Sequence, residues 1–327
     1  MSHRAAIRIS VSFCRLLERR ADSLGWYETM KKRVVGLGEV LWDILPERTC
    51  LGGAPANFAY ITTLMGDQGI VASRVGVDSQ GVEALRRMKE LGLVIRHVQT
   101  DRKRPTGTVN VQLDAQGQAR FEIAQPVAWD FFEWTEDWQR LAQDTDAVCF
   151  GSLAQRSEES GTTIRRFLRA TSQSTVKVFD VNLRQSYYSQ KVLAESMRLA
   201  DIVKLNDEEL PKIISLSGFP REDEKSSARR LMDAYELKLV CVTRGARGSL
   251  LVRGETSEHP GFRVKVADTV GSGDAFTAGL VHEYLRAAPL DRMNDVANRV
   301  GAWVASEVGA MPVPKGGGIE QVLAEIH

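Results

Sequence analysis

Asp268-Thr-Val-Gly-Ser-Gly-Asp-Ala-Phe276 is the stretch on which the reading of this chain turns. Gly271 and Gly273 allow backbone conformations and close approaches that a Cβ obstructs, while Phe276, Leu280, Glu283 and Tyr284 recur at helical spacing. The stretch is therefore a glycine-rich turn that opens a helix. Unpaired N–H groups at such an end, together with the positive pole of the helix dipole, form a cradle for an anion, above all a phosphate. Asp274 falls inside that cradle. A carboxylate there repels the group the cradle attracts, which makes sense if it serves as general base on a phosphoryl acceptor. On the local pattern alone it reads equally well as an aspartate capping its own helix.

Outward from this turn the chain alternates strand and helix. Val34-Val-Gly-Leu-Gly-Glu-Val-Leu-Trp-Asp43 reads as one buried strand running into a glycine-containing turn, with Glu39 and Asp43 near its end. Gly52-Gly-Ala-Pro-Ala-Asn57 opens a helix, since Pro55 is tolerated in a first turn, and Gly66 is its expected stop. A strand at 70–75 and a helix at 81–91 come next, then strands at 147–150, 175–181, 202–205 and 238–243 separated by helices at 158–170, 190–199 and within 222–235. Two antiparallel strands, 249–252 and 262–266, lead to Asp268, and helices at 273–287 and 291–308 close the chain. Repeated strand-helix-strand units predict an α/β fold with a mostly parallel sheet covered on both faces. Thr106 to Gln125 breaks the alternation: period-two strands flank Asp114-Ala-Gln-Gly117, a β-hairpin. Paired with the extended region at 45–51, it makes a small lid, with lid strands drawn from about 43–52 and 106–125.

A chain of 327 residues, 43% hydrophobic and 26% charged, has ample material for a globular core. Its 43 basic and 42 acidic residues create no global field toward nucleic acid or an anionic membrane, and no apolar run approaches the ~20 residues that span a bilayer. Cys14, Cys50, Cys149 and Cys241 have no metal-ligand spacing, as expected of free, mostly buried thiols in a reducing cytoplasm. Residues 1–29 carry five arginines around a short, serine-interrupted apolar segment and read as an N-terminal extension ahead of a single domain spanning 30–327.

Five segments reach predicted strand ends or helix starts, where open α/β sheets bind ligands. Asp43 and Asn57 can accept from and donate to sugar hydroxyls, and Gly53 admits a ligand to the backbone; Asn57 by itself reads as a helix cap. Asp180, Asn182 and Arg184 alternate after the strand at 175–181, and Arg184 is either a two-pronged grip on a phosphate or carboxylate or a surface arginine. Asn206 and Glu209 offer oxygens suited to Mg²⁺ and its waters, or a reciprocal capping box. Thr243-Arg-Gly-Ala-Arg-Gly-Ser249 is neither a Walker A loop nor a GxGxxG fingerprint; it beds a nucleotide or makes a hairpin turn.

Taken together, Asp268 to Phe276, Gly52 to Asn57 and Lys204-Leu-Asn-Asp-Glu-Glu209 resemble the signatures of the PfkB-type, ribokinase-like carbohydrate kinases, most of all the bacterial fructokinases, over about 33–314. The resemblance implies a ribokinase-like three-layer sandwich with a β-sheet lid, and transfer of the γ-phosphoryl group of ATP to a sugar hydroxymethyl, with fructose as the expected acceptor. It implies Asp274 as the base and the backbone amides of Gly271, Ser272, Gly273 and Asp274 as the anion hole. Asn206 and Glu209 would order Mg²⁺ through water, and Asp268 would contribute to a K⁺ site. Thr243, Gly245 and Gly248 would line the ATP site with Asn298 near adenine or ribose, while Asp43, Gly53, Asn57 and Arg184 would hold the sugar. A homodimer through the lid, with Phe121 as a contact, is the expected assembly. The rival readings are a 2-keto-3-deoxygluconate kinase, in which Arg184 and Arg104 would bind a carboxylate, a ribokinase, and a catalytically silent sugar-binding regulator, against which Asp274 and its glycines argue. A nucleotide-binding oxidoreductase would want a GxGxxG unit early in the chain, which is missing.

Overall fold

The computed structural model describes residues 31–45, 47–113, 119–316 and 318–326. The expected extension at 1–29, the hairpin connection Asp114-Ala-Gln-Gly117 and the Phe121 side chain lie outside the described part. In chain order the strands are β1 (Arg33–Leu37), β2 (Leu41–Ile44), β3 (Thr49–Gly52), β4 (Gln68–Gly76), β5 (Val98–Asp101), β6 (Gly107–Leu113), β7 (Ala119–Ile123), β8 (Ala147–Gly151), β9 (Val176–Asp180), β10 (Ile202–Asn206), β11 (Leu239–Thr243), β12 (Ser249–Val252) and β13 (Thr256–His259). The α-helices are α1 (Ala54–Leu64), α2 (Ser79–Glu90), α3 (Glu136–Gln143), α4 (Glu158–Ala170), α5 (Gln190–Leu199), α6 (Glu209–Leu216), α7 (Glu224–Ala234), α8 (Ser272–Tyr284), α9 (Leu290–Ser306) and α10 (Ile319–Ala324).

Nine strands form one sheet in the order β13-β12-β11-β10-β9-β8-β1-β4-β5. It is parallel from β11 to β5, with β12 and β13 added antiparallel at one edge. The central strands are apolar on both faces, and their side chains divide with period two. Val35, Leu37, Val148, Phe150, Val203 and Leu205 join one core with Trp138, Phe167 and Leu193 from α3, α4 and α5. Val34, Ala147, Cys149, Ile202 and Cys241 join a second core with Phe58, Leu280 and Val300 from α1, α8 and α9. Helices thus cover both faces, giving the three layers of an α/β sandwich. A second sheet, β3-β2-β6-β7, stands apart as the lid.

Two departures from the sequence reading have physical causes. The run from Val34 to Asp43 is two strands in two sheets: the chain leaves the main sheet at Gly38 and Glu39, and Leu41–Ile44 pairs with β3 and β6 instead. An unbroken apolar run conceals that change of sheet because both halves are buried. The segment 262–266 is not a strand. β13 occupies the more polar Thr256–His259, and Pro260 with Gly261 at positive φ ends it; the Phe262 ring packs under the Arg299 guanidinium, 4.4 Å away. β5, α3, α6 and α10 are elements beyond those expected from the sequence.

Of the cysteines within the described part, Cys149 and Cys241 are buried, Cys50 is half-buried, and all three are free. No helix among the described residues is long and apolar enough to cross a membrane.

Candidate active site

The strand order reverses at β1, which lies between β4 and β8, and open α/β sheets bind ligands beyond the carboxyl ends of strands at such a point. α1 is brought there by close packing. A Cβ on Gly36 of β1 would fall 2.0 Å from the Pro55 carbonyl oxygen, and one on Gly69 of β4 would fall 1.9 Å from that of Ala59, so only glycines let the helix lie so near the sheet. Asn57 is thereby fixed at the strand ends, 3% exposed. It does not cap α1, whose N-cap is Gly53 with no side-chain bond; its Nδ2 instead donates to Asp274 Oδ2 at 2.8 Å.

Asp274 sits in the first turn of α8, and the helix is not capped by it either. Gly271 is the N-cap, left-handed at φ 78°, with no side-chain cap bond. Ahead of it Asp268 Oδ1 accepts from Val270 N at 3.0 Å, and Ser272 bonds back to the Thr269 carbonyl through its N and Oγ. The N–H groups of Gly273 and Asp274 find no acceptor among the described residues, so the helix presents free donors beside a carboxylate. Burial raises the Asp274 pKa to about 6; the charge of Asp180 pushes the same way, and the Asn57 hydrogen bond, Lys204 and Arg184 oppose.

Around this pair lie more carboxylates. Glu39, 4% exposed, is pushed up to about 7 by burial, with its own and the Ala54 N–H pulling it down, Asp274 raising it and Arg184 lowering it. Its Oε2 and the Asn57 Oδ1 are buried acceptors without a hydrogen-bond partner among the described residues. Asp43 on β2 of the lid is raised to about 6 by burial, against the pull of Arg184 and with the push of Asp268. Arg184 is exposed, and its field reaches Glu39, Asp43 and Asp274 alike. Asp268 accepts from Arg48 of the lid at 2.7 Å. Arg104 is engaged by other groups: its guanidinium lies 3.2 Å over the Phe131 ring and pairs with Asp101 at 3.3 Å.

A second group of side chains gathers at the ends of β10 and β11, where Asn206 and Thr243 are paired in register. Asn206 and Glu209 form the reciprocal capping box: Asn206 N donates to Glu209 Oε2 at 2.9 Å, and Glu209 N to Asn206 Oδ1 at 2.8 Å. Glu209 Oε1 additionally accepts from Leu183 N at 2.7 Å. Each carboxylate oxygen still has a second lone pair, so this donor set suits water-mediated contact with a hard cation. Gly245 and Gly248 shape the turn after β11; Gly245 has nothing within 4 Å of where a Cβ would stand, leaving its face open to a ligand, whereas a Cβ on Gly248 would strike the His259 carbonyl at 1.9 Å. Arg244 and Arg247 of this turn are held by Glu224, Glu258 and Asp207. Asn298 donates to Ser249 Oγ at 2.7 Å and to the Asn294 carbonyl at 2.8 Å, which ties it to the strand that follows Gly248.

The two groups are joined by a residue that the sequence reading did not single out. Lys204, in β10 two positions before Asn206, is buried and lies 3.1 Å from both oxygens of Asp180. Burial works against its ammonium, but Asp180, Glu209 and Asp274 outweigh that and hold it protonated above its ordinary range. The available signal was a lone lysine within an apolar strand, since a buried charge requires a partner. Glu39 was visible only as a strand-end residue; its burial and unpartnered oxygen are features of the fold.

The pfkB family carbohydrate kinases match residues 48–315. A fructokinase of Escherichia coli is 32% identical over 309 residues, covering 86% of this chain and 96% of that protein. The crystal structure of an uncharacterized sugar kinase from Pyrococcus horikoshii in complex with ATP superposes with a TM-score of 0.73 at 28% identity, covering 85% of this chain and 94% of that one. A fructokinase from Vibrio cholerae with fructose, ADP and calcium bound gives a TM-score of 0.73 at 26% identity, covering 86% and 95%.

Proposed function

This chain belongs to the pfkB family of carbohydrate kinases and is a phosphotransferase, and we propose that it moves the γ-phosphoryl group of ATP to a hydroxymethyl of a neutral sugar, with fructose the first choice. The observation that carries the reading is the Asn57–Asp274 bond of 2.8 Å at a helix start with free N–H groups. Base and anion cradle are then one structural unit. Asn57 holds Oδ2, which leaves Asp274 Oδ1 to take the proton of the attacking hydroxyl. The phosphoryl group settles at the Gly271–Asp274 turn against the free N–H groups of Gly273 and Asp274, where positioning and electrostatics supply most of the rate.

ATP would lie along the turn of Thr243, Gly245 and Gly248 toward Asn298. Mg²⁺, when bound, screens the phosphate charges; Asn206 and Glu209 would hold its waters. Asp268 is the residue expected to favour K⁺. Asp43, Gly53, Asn57 and Arg184 would hold the sugar. A neutral acceptor is supported by the unmet groups: Glu39 Oε2 and Asn57 Oδ1 are served by donors such as hydroxyls, and a substrate carboxylate would face Glu39, Asp43 and Asp274 together. Arg104 is paired with Asp101 and stacked on Phe131, which supports a neutral acceptor over a sugar acid. The family resemblance supports a cytoplasmic enzyme and a homodimer through the lid.

The test is a coupled ADP-release screen with ATP and Mg²⁺ over fructose, ketodeoxygluconate, ribose, tagatose and adenosine. Turnover strongest with fructose is expected; a preference for ketodeoxygluconate would overturn the neutral-sugar assignment, and tight sugar binding without turnover would favour the silent regulator. Since Asp274 works as a base only when ionised, and burial lifts its pKa to about 6, kcat/KM should fall as pH drops through that value. A flat profile down to about pH 5 would exclude Asp274 as the base. Glu209→Gln should raise the Mg²⁺ concentration giving half-maximal rate. It should also lower the melting temperature, because the new amide would set an N–H against the backbone donor of Leu183 or Asn206. A lower melting temperature with an unchanged Mg²⁺ titration would leave Glu209 as a cap alone.

A further inference from the structure

Lys204 occupies the middle of β10, flanked by parallel neighbours on both sides. Its pairing with Asp180, at the end of β9, puts two charges where apolar side chains would pack at least as well. Desolvation of both ions offsets much of their attraction, so a buried pair of this kind is weak evidence for stability. Its contacts point to another purpose. A Cβ on Gly273 would stand 3.0 Å from Lys204 Nζ, so the ammonium abuts the backbone of the second residue of α8. One turn on, the Thr277 hydroxyl lies 3.1 Å from Asp180 Oδ2 and 2.9 Å from the Gly273 carbonyl. The ion pair therefore meets α8 at two places, at Gly273 in its first turn and at Thr277 one turn on, while Asn57 engages Asp274 in the first turn.

Charge gives the same answer. Asp180 places a second negative charge near Asp274, adding to the effect of burial on it, and with both ionised the start of α8 would repel a polyphosphate that its free N–H groups should attract. Lys204 is the buried cation that offsets them. We propose that the Lys204–Asp180 pair positions the first turn of α8 for phosphoryl transfer and that Lys204 adds a fixed positive charge behind the anion cradle. This rests on the sugar-kinase reading above.

The experiment compares the full-length chain with Lys204→Met, Lys204→Met/Asp180→Asn and Thr277→Val. The double variant removes both charges together and leaves no buried ion unpaired. Its kcat should fall at least about tenfold, toward the loss seen when an oxyanion donor is removed, with the KM for sugar within about threefold. Thr277→Val keeps the ion pair and breaks its hydroxyl link to α8; a several-fold loss in kcat at unchanged KM is expected. A folded double variant with wild-type kcat would show the pair to be structural only and overturn the proposal. If the double variant does not fold, Thr277→Val decides, and unchanged turnover there overturns it. A wild-type chain that phosphorylates no sugar in the acceptor screen defeats the sugar-kinase reading itself, an outcome distinct from an active wild type whose variants are equally active.

Discussion

Asp274→Asn is expected to lower kcat by roughly 10² to 10⁴-fold, the span that general-base help supplies, while ATP binds as well as before or better. Tighter nucleotide binding follows from removing a negative charge that faces the phosphates from inside their own cradle. The choice of asparagine matters. Asn57 Nδ2 donates to Asp274 Oδ2 at 2.8 Å, and an asparagine at 274 can still accept that bond. In Asp274→Ala the buried Asn57 amide loses its partner altogether, which costs about 1–3 kcal/mol. Both variants should therefore be nearly inactive, and only the alanine variant should melt early. Steady-state turnover, calorimetric titration with ATP and thermal melts separate these effects. Wild-type turnover in a folded Asp274→Asn protein would remove the residue from the chemistry. An equal loss of stability in both variants would instead indicate that the carboxylate itself, beyond the Asn57 bond, holds the turn together.

How far the site could be read in advance depended on whether a residue's role is local. The glycine-rich turn was legible because its constraint is a backbone one: Gly271 is left-handed, and the helix begins at the next residue. Asn206 and Glu209 were legible as a pair, and the capping geometry that their spacing allowed is present. Asn57 and Asp274 were each ambiguous alone, since a polar residue at a helix start is ordinarily a cap. Their bond spans 217 positions, and nothing in either segment announces the other. Separation along the chain also hid the cation behind the cradle, because Lys204 acquires its meaning from Asp180, 24 positions away, and from the backbone of Gly273. In the fold, helices with polar caps and amphipathic faces were placed closely, as at Glu158–Ala170 and Gln190–Leu199. The lid was less exact: its hairpin was legible from period-two alternation, but its first strand was hidden within an apolar run continuous with β1.

Gly271→Ala should be nearly as damaging as loss of the base, although it removes no functional group. Two effects combine. Alanine is strained at φ 78°, by about 1–2 kcal/mol, the ordinary penalty of the left-handed region. In addition its Cβ would fall 2.4 Å from the Ala310 Cβ and 2.8 Å from the Ala310 Cα, separations that require the turn or the segment at 310 to move. The turn is attached to the N–H groups of Gly273 and Asp274, and a misplacement of about 1 Å at a reacting centre can lower the rate about 10²-fold. A loss of that order in kcat is expected, with a melting temperature reduced by only a few degrees. Gly218→Ala is the matched control: Gly218 has φ 72° and nothing within 4 Å of the added Cβ, so it suffers the backbone strain without the collision. It should lose a similar amount of stability and keep its turnover. If both variants lost activity in step, the defect would be one of stability. If neither did, the N–H groups of this turn could not be the place where the phosphoryl group is received.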